Sequence, residues 1–133
     1  MVKISNEMIS KVKDQLPILA TSNKNRDPQL VPKGSLHVYD TEHLIYYEHT
    51  FKQAYNNILE NDSKVAVAVI NEQEQKGFHF EGIAEIHEDD DFANNILKKT
   101  DVLNPFPRAA VVIITVKKFF VLDNNMEARN RVL

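Results

Sequence analysis

Residues 46–58 read YYEHTFKQAYNNI, and the rest of the chain can be organised around this stretch. An aromatic run of the kind that strands prefer comes first, and a short helical pattern follows it. Thr50 can cap that helix by accepting a hydrogen bond from a free backbone N–H near the helix start. Phe51, Tyr55 and Ile58 recur at helical spacing and predict its buried face. The stretch therefore predicts a strand that leads directly into a short amphipathic helix.

The start of this predicted helix also has the chemistry of an anion site. Lys52 and Asn56 lie four residues apart, so their side chains can point towards one spot. A helix N-terminus adds unpaired N–H groups and a partial positive charge, and both attract a phosphate. An ordinary capped surface helix has the same pattern and, taken alone, is the more common explanation. The rest of the chain has to decide between the two.

Length and composition are those of an ordinary globular protein. Of the 133 residues, 43% are hydrophobic and 26% are charged, a typical balance for a folded domain. The net charge of −3 and the lack of a basic stripe argue against a nucleic-acid-binding protein and against attachment to anionic lipid. We expect a single domain over residues 1–133, with a loose tail after about residue 123.

The sequence also indicates a compartment. There is no cysteine, so disulfides, thiolate metal sites and a cysteine nucleophile are excluded. The beginning of the chain is polar, and its apolar runs are too short to cross a bilayer. These features predict a cytoplasmic protein without membrane contact.

Six segments have the composition or the alternation of β-strands. The clearest is 77–87, where apolar and polar residues alternate along the whole run. Segment 64–70 is apolar without alternation, which predicts a strand covered on both faces. Hairpin spacing dominates and strand–helix–strand alternation is absent, so we expect a mainly β (α+β) fold, an antiparallel barrel with short peripheral helices. The six predicted strands are 18–21, 29–39, 43–48, 64–70, 77–87 and 108–122.

Two further helices are predicted from their start signals. Ser5 is a plausible cap for an amphipathic helix over 5–16 that ends before Pro17. The acidic run 88–91 could suggest a metal site, but acids also complement the dipole at a helix start. Because hard cations need converging oxygens rather than a run of acids, the helix start is the better explanation.

The second predicted strand contains the unusual sequence VPKGS at residues 31–35. Pro32 removes a hydrogen-bond donor from the ladder, and Gly34 marks a bulge or a close approach to the backbone. These residues fit an irregular edge strand and a ligand-facing segment equally well.

Sequence signatures of catalysis are missing elsewhere. The three glycines are too scattered to form a dinucleotide-binding or P-loop motif, and the five histidines have no metal-ligand spacing. No nucleophile elbow is present. If the protein performs chemistry, a bound cofactor is expected to supply it.

Taken in order, four stretches resemble the FMN-binding split-barrel proteins of the pyridoxamine 5′-phosphate oxidase-like superfamily, and in particular their small single-domain members. The similarity lies in the order and spacing of the pieces rather than in any one of them. The resemblance implies that the predicted barrel is a six-stranded antiparallel split β-barrel. The stretches are LATSNKNRDPQLVPKGSLHVYD (19–40), LIYYEHTFKQAYNNILENDSKVAVAV (44–69), GFHFEGIAEI (77–86) and PRAAVVIITVKKF (107–119).

The resemblance further implies a homodimer with FMN bound at the subunit interface. One group of residues would line the isoalloxazine ring and ribityl chain, largely through the backbone: Val31, Pro32, Lys33, Gly34 and Ser35. A second group would surround the phosphate, with Lys52 as its cation: His49, Thr50, Phe51, Lys52 and either Asn56 or Asn57. The partner subunit would contribute from the later strands, with Phe78, Phe80 or the 105–108 loop as candidates.

The sequence also departs from the family pattern. Gln53 follows Lys52 where the family usually has Thr or Arg, and the segment up to Val65 is longer than usual, which leaves Asn56 and Asn57 as alternatives. The residues that hold the substrate phosphate in true pyridoxamine phosphate oxidases have no convincing match, so vitamin B6 chemistry is not expected.

The resemblance therefore implies an FMN-dependent oxidoreductase that passes hydride or electrons between a nicotinamide, NADH or NADPH, or a small organic substrate and FMN. The alternatives are a non-catalytic FMN electron carrier or store, and a split barrel that binds another cofactor such as haem or a deazaflavin. No catalytic residue, no metal ligand and no nucleic-acid contact is predicted.

Overall fold

The computed structural model describes residues 3–61, 63–100 and 108–122, which form one antiparallel sheet and three short helices. Residues 105–107 of the loop expected at 105–108, and the tail after residue 123, fall outside these ranges. The strands are β1 (Ile18–Ser22), β2 (Pro28–Pro32), β3 (His37–Asp40), β4 (His43–Glu48), β5 (Lys64–Asn71), β6 (Lys76–His87) and β7 (Ala110–Val121). The helices are α1 (Asn6–Asp14), α2 (Gln53–Glu60) and α3 (Asp91–Leu97).

The order of the strands requires the sheet to curl. The order is β2-β1-β5-β6-β7-β4-β3, and every pairing is antiparallel. β2 and β3 lie at opposite edges, although only the turn between Pro32 and His37 joins them. That turn spans at most about 18 Å, whereas the edges of a flat seven-stranded sheet would lie about 29 Å apart. The sheet therefore curls into a barrel that is not closed, which confirms the predicted split-barrel architecture.

The strand count is seven rather than the predicted six. The segment expected as one strand, 29–39, is divided by a turn in which the Leu36 N–H donates to the Lys33 carbonyl oxygen at 3.1 Å. Before the turn β2 pairs with β1, and after it β3 pairs with β4. Pro32 ends β2 at the edge of the sheet, where its missing N–H leaves no ladder bond unmade.

The inner face of the sheet and α1 enclose the main core. As predicted, Ser5 caps α1, and its hydroxyl accepts a hydrogen bond from Met8 N at 3.3 Å. The helix ends at Asp14, earlier than predicted, and Leu16 is exposed. The largest fully buried side chains of this core include Met8, Leu19, Leu44, Tyr46, Val67, Val69, Phe80, Val112 and Ile114.

The helix predicted after the acidic run is α3, and the acids take the role expected of a helix start. Asp90 is the N-cap, and its carboxylate accepts a hydrogen bond from Ala93 N at 2.8 Å. α3 packs on the outer side of β4 and β7 in a second, smaller cluster. That cluster contains Ile45, Ala93, Leu97, Ala109 and Val111.

β5 is buried on one face only. Val65, Val67 and Val69 point into the core, as the apolar run predicts. Ala66 and Ala68 point outward and are half-buried, and Ile70 is 50% exposed. The expectation that this strand is covered on both faces is therefore wrong for the single chain. In the part of the chain that is described, no helix is both long and apolar enough to cross a membrane.

We expect Gly82→Ala to lower the free energy of unfolding by about 1–3 kcal/mol, the usual cost of overpacking. A Cβ at this position would clash with the carbonyl oxygen of Thr115 and approach the Ile114 Cγ2 atom to 2.9 Å, and neither the backbone nor the packed side chain can yield easily. Urea titration followed by far-UV circular dichroism measures the change.

Gly34→Ala is the matched control for this prediction. A Cβ at Gly34 meets nothing within 4 Å, and the residue does not have a positive φ. Its substitution should change the unfolding free energy by no more than about 0.5 kcal/mol. Equal stability of the two variants would contradict the packing described for Gly82.

Candidate functional site

The β3–β4 hairpin brings the two predicted cofactor segments together. We call residues 31–35 the turn segment and residues 49–52 the helix-start loop. The Lys33 ammonium lies 3.3 Å from the Glu48 carboxylate at the end of β4. The Ser35 hydroxyl accepts a hydrogen bond from Tyr47 N at 3.0 Å. The two segments, at the two ends of this hairpin, are therefore joined through Tyr47 and Glu48 at the end of β4. We call this group of contacts the frame.

Glu48 is the centre of this frame. Alternation along β4 places Glu48 on the same inward face as Tyr46 and Leu44, and it is only 1% exposed. One carboxylate oxygen, Oε1, contacts Lys33. The other, Oε2, accepts three hydrogen bonds, from Thr50 N at 3.1 Å, Thr50 Oγ1 at 2.9 Å and Phe51 N at 3.1 Å.

These contacts keep the buried carboxyl group ionised. Burial by itself raises the pKa of Glu48, but the Lys33 ammonium and the hydrogen bonds from Phe51 and Thr50 favour the carboxylate. The net effect is a pKa below the ordinary value for glutamate. At neutral pH the frame therefore contains a buried anion and a paired cation.

The role predicted for Thr50 as a helix cap is wrong. α2 begins at Gln53, its N-cap is Lys52, and no side chain caps it. Thr50 lies before the cap, and its hydroxyl donates to Glu48 instead of accepting from the helix. The reason is that a buried carboxylate is a stronger acceptor for this hydroxyl than a backbone N–H is a donor to it.

Lys52 and Asn56 are both exposed, one turn apart at the start of α2. Among residues 3–61, 63–100 and 108–122, the Lys52 ammonium has no ion-pair partner. No described side chain caps the helix, so the N–H groups of the first turn of α2 have no side-chain acceptor. Lys52, Asn56 and this helix start thus form an accessible set of donors.

Asn57 differs from Asn56, because it is buried and its amide is engaged. Its Nδ2 donates to Thr21 Oγ1 at 3.0 Å, and its Oδ1 accepts from Gln53 Nε2 at 2.6 Å. This network ties α2 to β1. The structure therefore leaves Asn56, rather than Asn57, facing the accessible side of the helix.

A second cluster holds the helix-start loop from the outside. Phe51 has a positive φ of 51°, an unusual conformation for an aromatic residue. Its ring is covered by the Arg108 guanidinium at 3.7 Å and meets the Tyr55 ring edge-on at 4.8 Å. Arg108 in turn forms a two-pronged ion pair with Glu88, to which the Tyr55 hydroxyl also donates at 3.3 Å.

The remaining predicted residues have clear positions. In the turn segment Pro32 and Gly34 are exposed and Val31 is half-buried, while His49 is half-buried at the beginning of the helix-start loop. A cavity of about 470 Å³ between α1 and the turn is lined in part by Gly34, Ser35, Leu36 and Val38.

Phe78 and Phe80 do not fit the role suggested for them in a partner's site. They are 6% and 1% exposed and belong to the core of their own chain. Alternation in β6 directs both side chains into that core. The sequence reading also missed Glu48, although a charged residue at an inward position of a strand is a detectable signal.

Comparison with known proteins agrees with this architecture. A family model described as pyridoxamine 5′-phosphate oxidase matches residues 8–123. A solved protein from Lactobacillus delbrueckii, provisionally described as a pyridoxamine 5′-phosphate oxidase, is 38% identical with a TM-score of 0.82, over 90% of this chain and 95% of that one. HupZ from Group A Streptococcus is 29% identical with a TM-score of 0.81, over 92% and 96% of the two chains.

A third solved protein shows likeness of fold alone. It is an FMN-binding protein from Syntrophomonas wolfei, 14% identical with a TM-score of 0.72, over 90% of this chain and 88% of that one. The family model, by contrast, covers most of the chain, and the Lactobacillus protein is similar along nearly its whole length. These matches confirm the resemblance that the sequence motifs indicate, and this protein belongs to the pyridoxamine 5′-phosphate oxidase family.

Proposed function

We propose that this protein binds a flavin of the FMN type and uses it to pass hydride or electrons between a nicotinamide or small organic substrate and the flavin ring. The observation that supports this most is the joining of the turn segment to the helix-start loop by Lys33 and Glu48. The pair connects the turn segment, in which Pro32 and Gly34 are exposed, to the loop that leads into Lys52. Family membership, and an FMN-binding protein of the same fold, agree with it.

The turn segment suits the flat ring of a flavin. Pro32 and Gly34 present little side chain, and Gly34 has open space where a Cβ would be. Since no packing among the described residues requires glycine at this position, a flat group lying against the backbone is a reason for its presence. Backbone N–H and C=O groups could then hydrogen-bond to the ring edge.

The start of α2 suits the phosphate, although with fewer donors than the sequence suggests. Thr50 and the Phe51 N–H are already bound to Glu48, so they are not available to a ligand. Lys52, Asn56 and the first N–H groups of α2 remain, and an ammonium beside a helix N-terminus is an effective phosphate site. Lys52 is thus the proposed phosphate cation.

The bound flavin would supply the redox chemistry, and the chain would bind and orient it. The nearest buried ionisable group, Glu48, is fully occupied by its four contacts and is not proposed as a general acid or base. A non-catalytic FMN electron carrier or store is the alternative function. A flavin absorption spectrum of the purified protein, followed by mixing with NADH or NADPH, separates an enzyme, a carrier and a protein that binds haem or another cofactor.

We further propose a homodimer in which a second copy covers the outer face of β2, β1 and β5. The cross-strand register places small and apolar residues side by side on this face, including the pairs Ile18–Pro32 and Ala20–Leu30. Leu30 is 71% exposed and Ile70 50% exposed in the single chain. A continuous apolar face of this kind is typical of an interaction surface.

The apolar run of β5 supports the same assembly. A strand without polar alternation is expected where both faces are covered, and the chain itself covers only the inner one. Pro32 belongs both to this face and to the turn segment, so the proposed interface would reach the proposed cofactor site. A cytoplasmic location completes the proposal and is supported by the absence of cysteine.

Lys52→Ala should weaken FMN binding by about 1.5–3 kcal/mol, because it removes one charge-assisted contact to the phosphate. That corresponds to a dissociation constant about 10–150-fold higher. The quenching of flavin fluorescence during titration of the protein measures it, and the unfolding free energy should be unchanged because Lys52 is exposed.

Lys24→Ala is the matched control, since it removes the same charge from an exposed turn between β1 and β2. It should leave FMN affinity at the wild-type value. If Lys52→Ala binds as tightly as Lys24→Ala, the phosphate lies elsewhere. A wild-type protein that is colourless and ignores added FMN would contradict the proposed function itself.

Sedimentation velocity tests the proposed dimer. The wild type should sediment as a dimer, and Leu30→Glu should raise the dimer dissociation constant about 100-fold or more, because it would bury an unpaired charge at the interface. Leu59→Glu on the exposed side of α2 is the control, since Leu59 is 59% exposed and lies off this face. A monomeric wild type, or equal effects of the two variants, would reject the interface.

A further inference from the structure

We infer that Glu48 is a positioning residue for the proposed flavin site, one that holds the helix-start loop and the turn segment in the geometry that receives the cofactor. This inference rests on the proposed function. In this proposal Glu48 does not touch the ligand and acts through the groups around it.

The energetics of burial make Glu48 unusual. A charged side chain that is 1% exposed and points into a core is costly unless it is paired and hydrogen-bonded. Glu48 meets that condition with four contacts, which use both of its oxygens. An apolar residue of similar size would often serve stability as well or better. The carboxylate therefore calls for an explanation beyond stability, and the loop that it organises provides one.

The three hydrogen bonds to Oε2 fix the loop immediately before Lys52. They come from two consecutive residues, so the backbone wraps around the carboxylate. Phe51 is held at a φ of 51°, and this conformation requires support from its surroundings. Glu48 supports it from inside through the backbone N–H, and Arg108 supports it from outside by covering the ring. The position of Lys52 follows from this arrangement.

The fourth contact of Glu48, its ion pair with Lys33, holds the turn segment as well. Lys33 lies 5.0 Å above the ring of Tyr46, and its ammonium is turned inward to Glu48, with a side chain only 12% exposed. It follows that Lys33 is not available as a cation for the ligand, although it belongs to the segment predicted to line the flavin. Its role is to tie that segment to β4.

The experiment compares Glu48→Met, Lys33→Met and the double variant. Glu48→Met keeps a side chain of similar length but has no acceptor oxygen, so the three hydrogen bonds from Thr50 and Phe51 to Oε2 are lost. Lys33→Met leaves the carboxylate buried without its cation. The double variant removes both charges together and so avoids an unpaired buried charge. Glu74→Gln, on the exposed turn between β5 and β6, controls for the change in net charge.

FMN affinity and unfolding free energy separate positioning from mere stabilisation. We expect Glu48→Met to raise the FMN dissociation constant at least tenfold, because the loop before Lys52 loses its acceptor. The double variant should recover the unfolding free energy while its FMN binding stays weak, because the loop still lacks its acceptor. Recovery of both quantities in the double variant would show that Glu48 acts only as half of an ion pair and would overturn the inference.

Amide hydrogen exchange in ligand-free protein tests the inference independently of cofactor binding. In the double variant, whose unfolding free energy is recovered, the Thr50 and Phe51 amides should exchange at least tenfold faster than in the wild type, whereas those of Val67 and Phe80 in the core strands should keep their wild-type rates. Unchanged exchange at Thr50 and Phe51 would reject the positioning role. If the wild type fails to bind FMN, the proposed function falls, and this exchange result alone decides whether Glu48 orders the loop.

Discussion

The short connection between β2 and β3 constrains the whole molecule. Because the connection joins opposite edges of a seven-stranded sheet, the sheet has to curl until those edges lie close together. Residues 33–35 lie against the end of β4 because they continue the β3–β4 hairpin, in which His37 pairs with Ile45, so that Lys33 reaches Glu48 and Ser35 reaches Tyr47. Because the short connection that makes the sheet curl also contains Lys33 and Ser35, the candidate site lies beside the split in the barrel.

Two polar side chains of the candidate site are bound inside the protein rather than left free for a ligand. Thr50 and Lys33 both sit where a ligand would be expected to use them, and both are bound to Glu48 instead. What remains outside is an uncapped helix start with Lys52 and Asn56. Glu48, Thr50 and Lys33 therefore shape the loop, whereas, in the part of the chain that is described, Lys52 and Asn56 are free to bind a ligand. The site expected from sequence did not distinguish these two groups.

The sequence predicts elements well where a single periodicity governs them. The alternation in 77–87 predicts β6, the acids at 88–91 predict the start of α3, and Ser5 predicts the cap of α1, because each signal is local. The division of 29–39 was missed, since alternation does not change when a strand exchanges one neighbour for another. The partners of Thr50 and Asn57 were missed because the competing groups come from outside the helix, on β4 and β1.

The outer face of β5 connects the fold to the proposed assembly. Its residues are apolar on both sides, yet the chain buries only Val65, Val67 and Val69. Apolar surface of this kind gains free energy when it leaves water, at roughly 25 cal/mol per Å². Since Pro32 lies on the same face, a second subunit that covered it would also shield one side of the turn segment. A cofactor held there would be enclosed more completely by two chains than by one, which is a physical reason for placing the proposed flavin at a subunit interface.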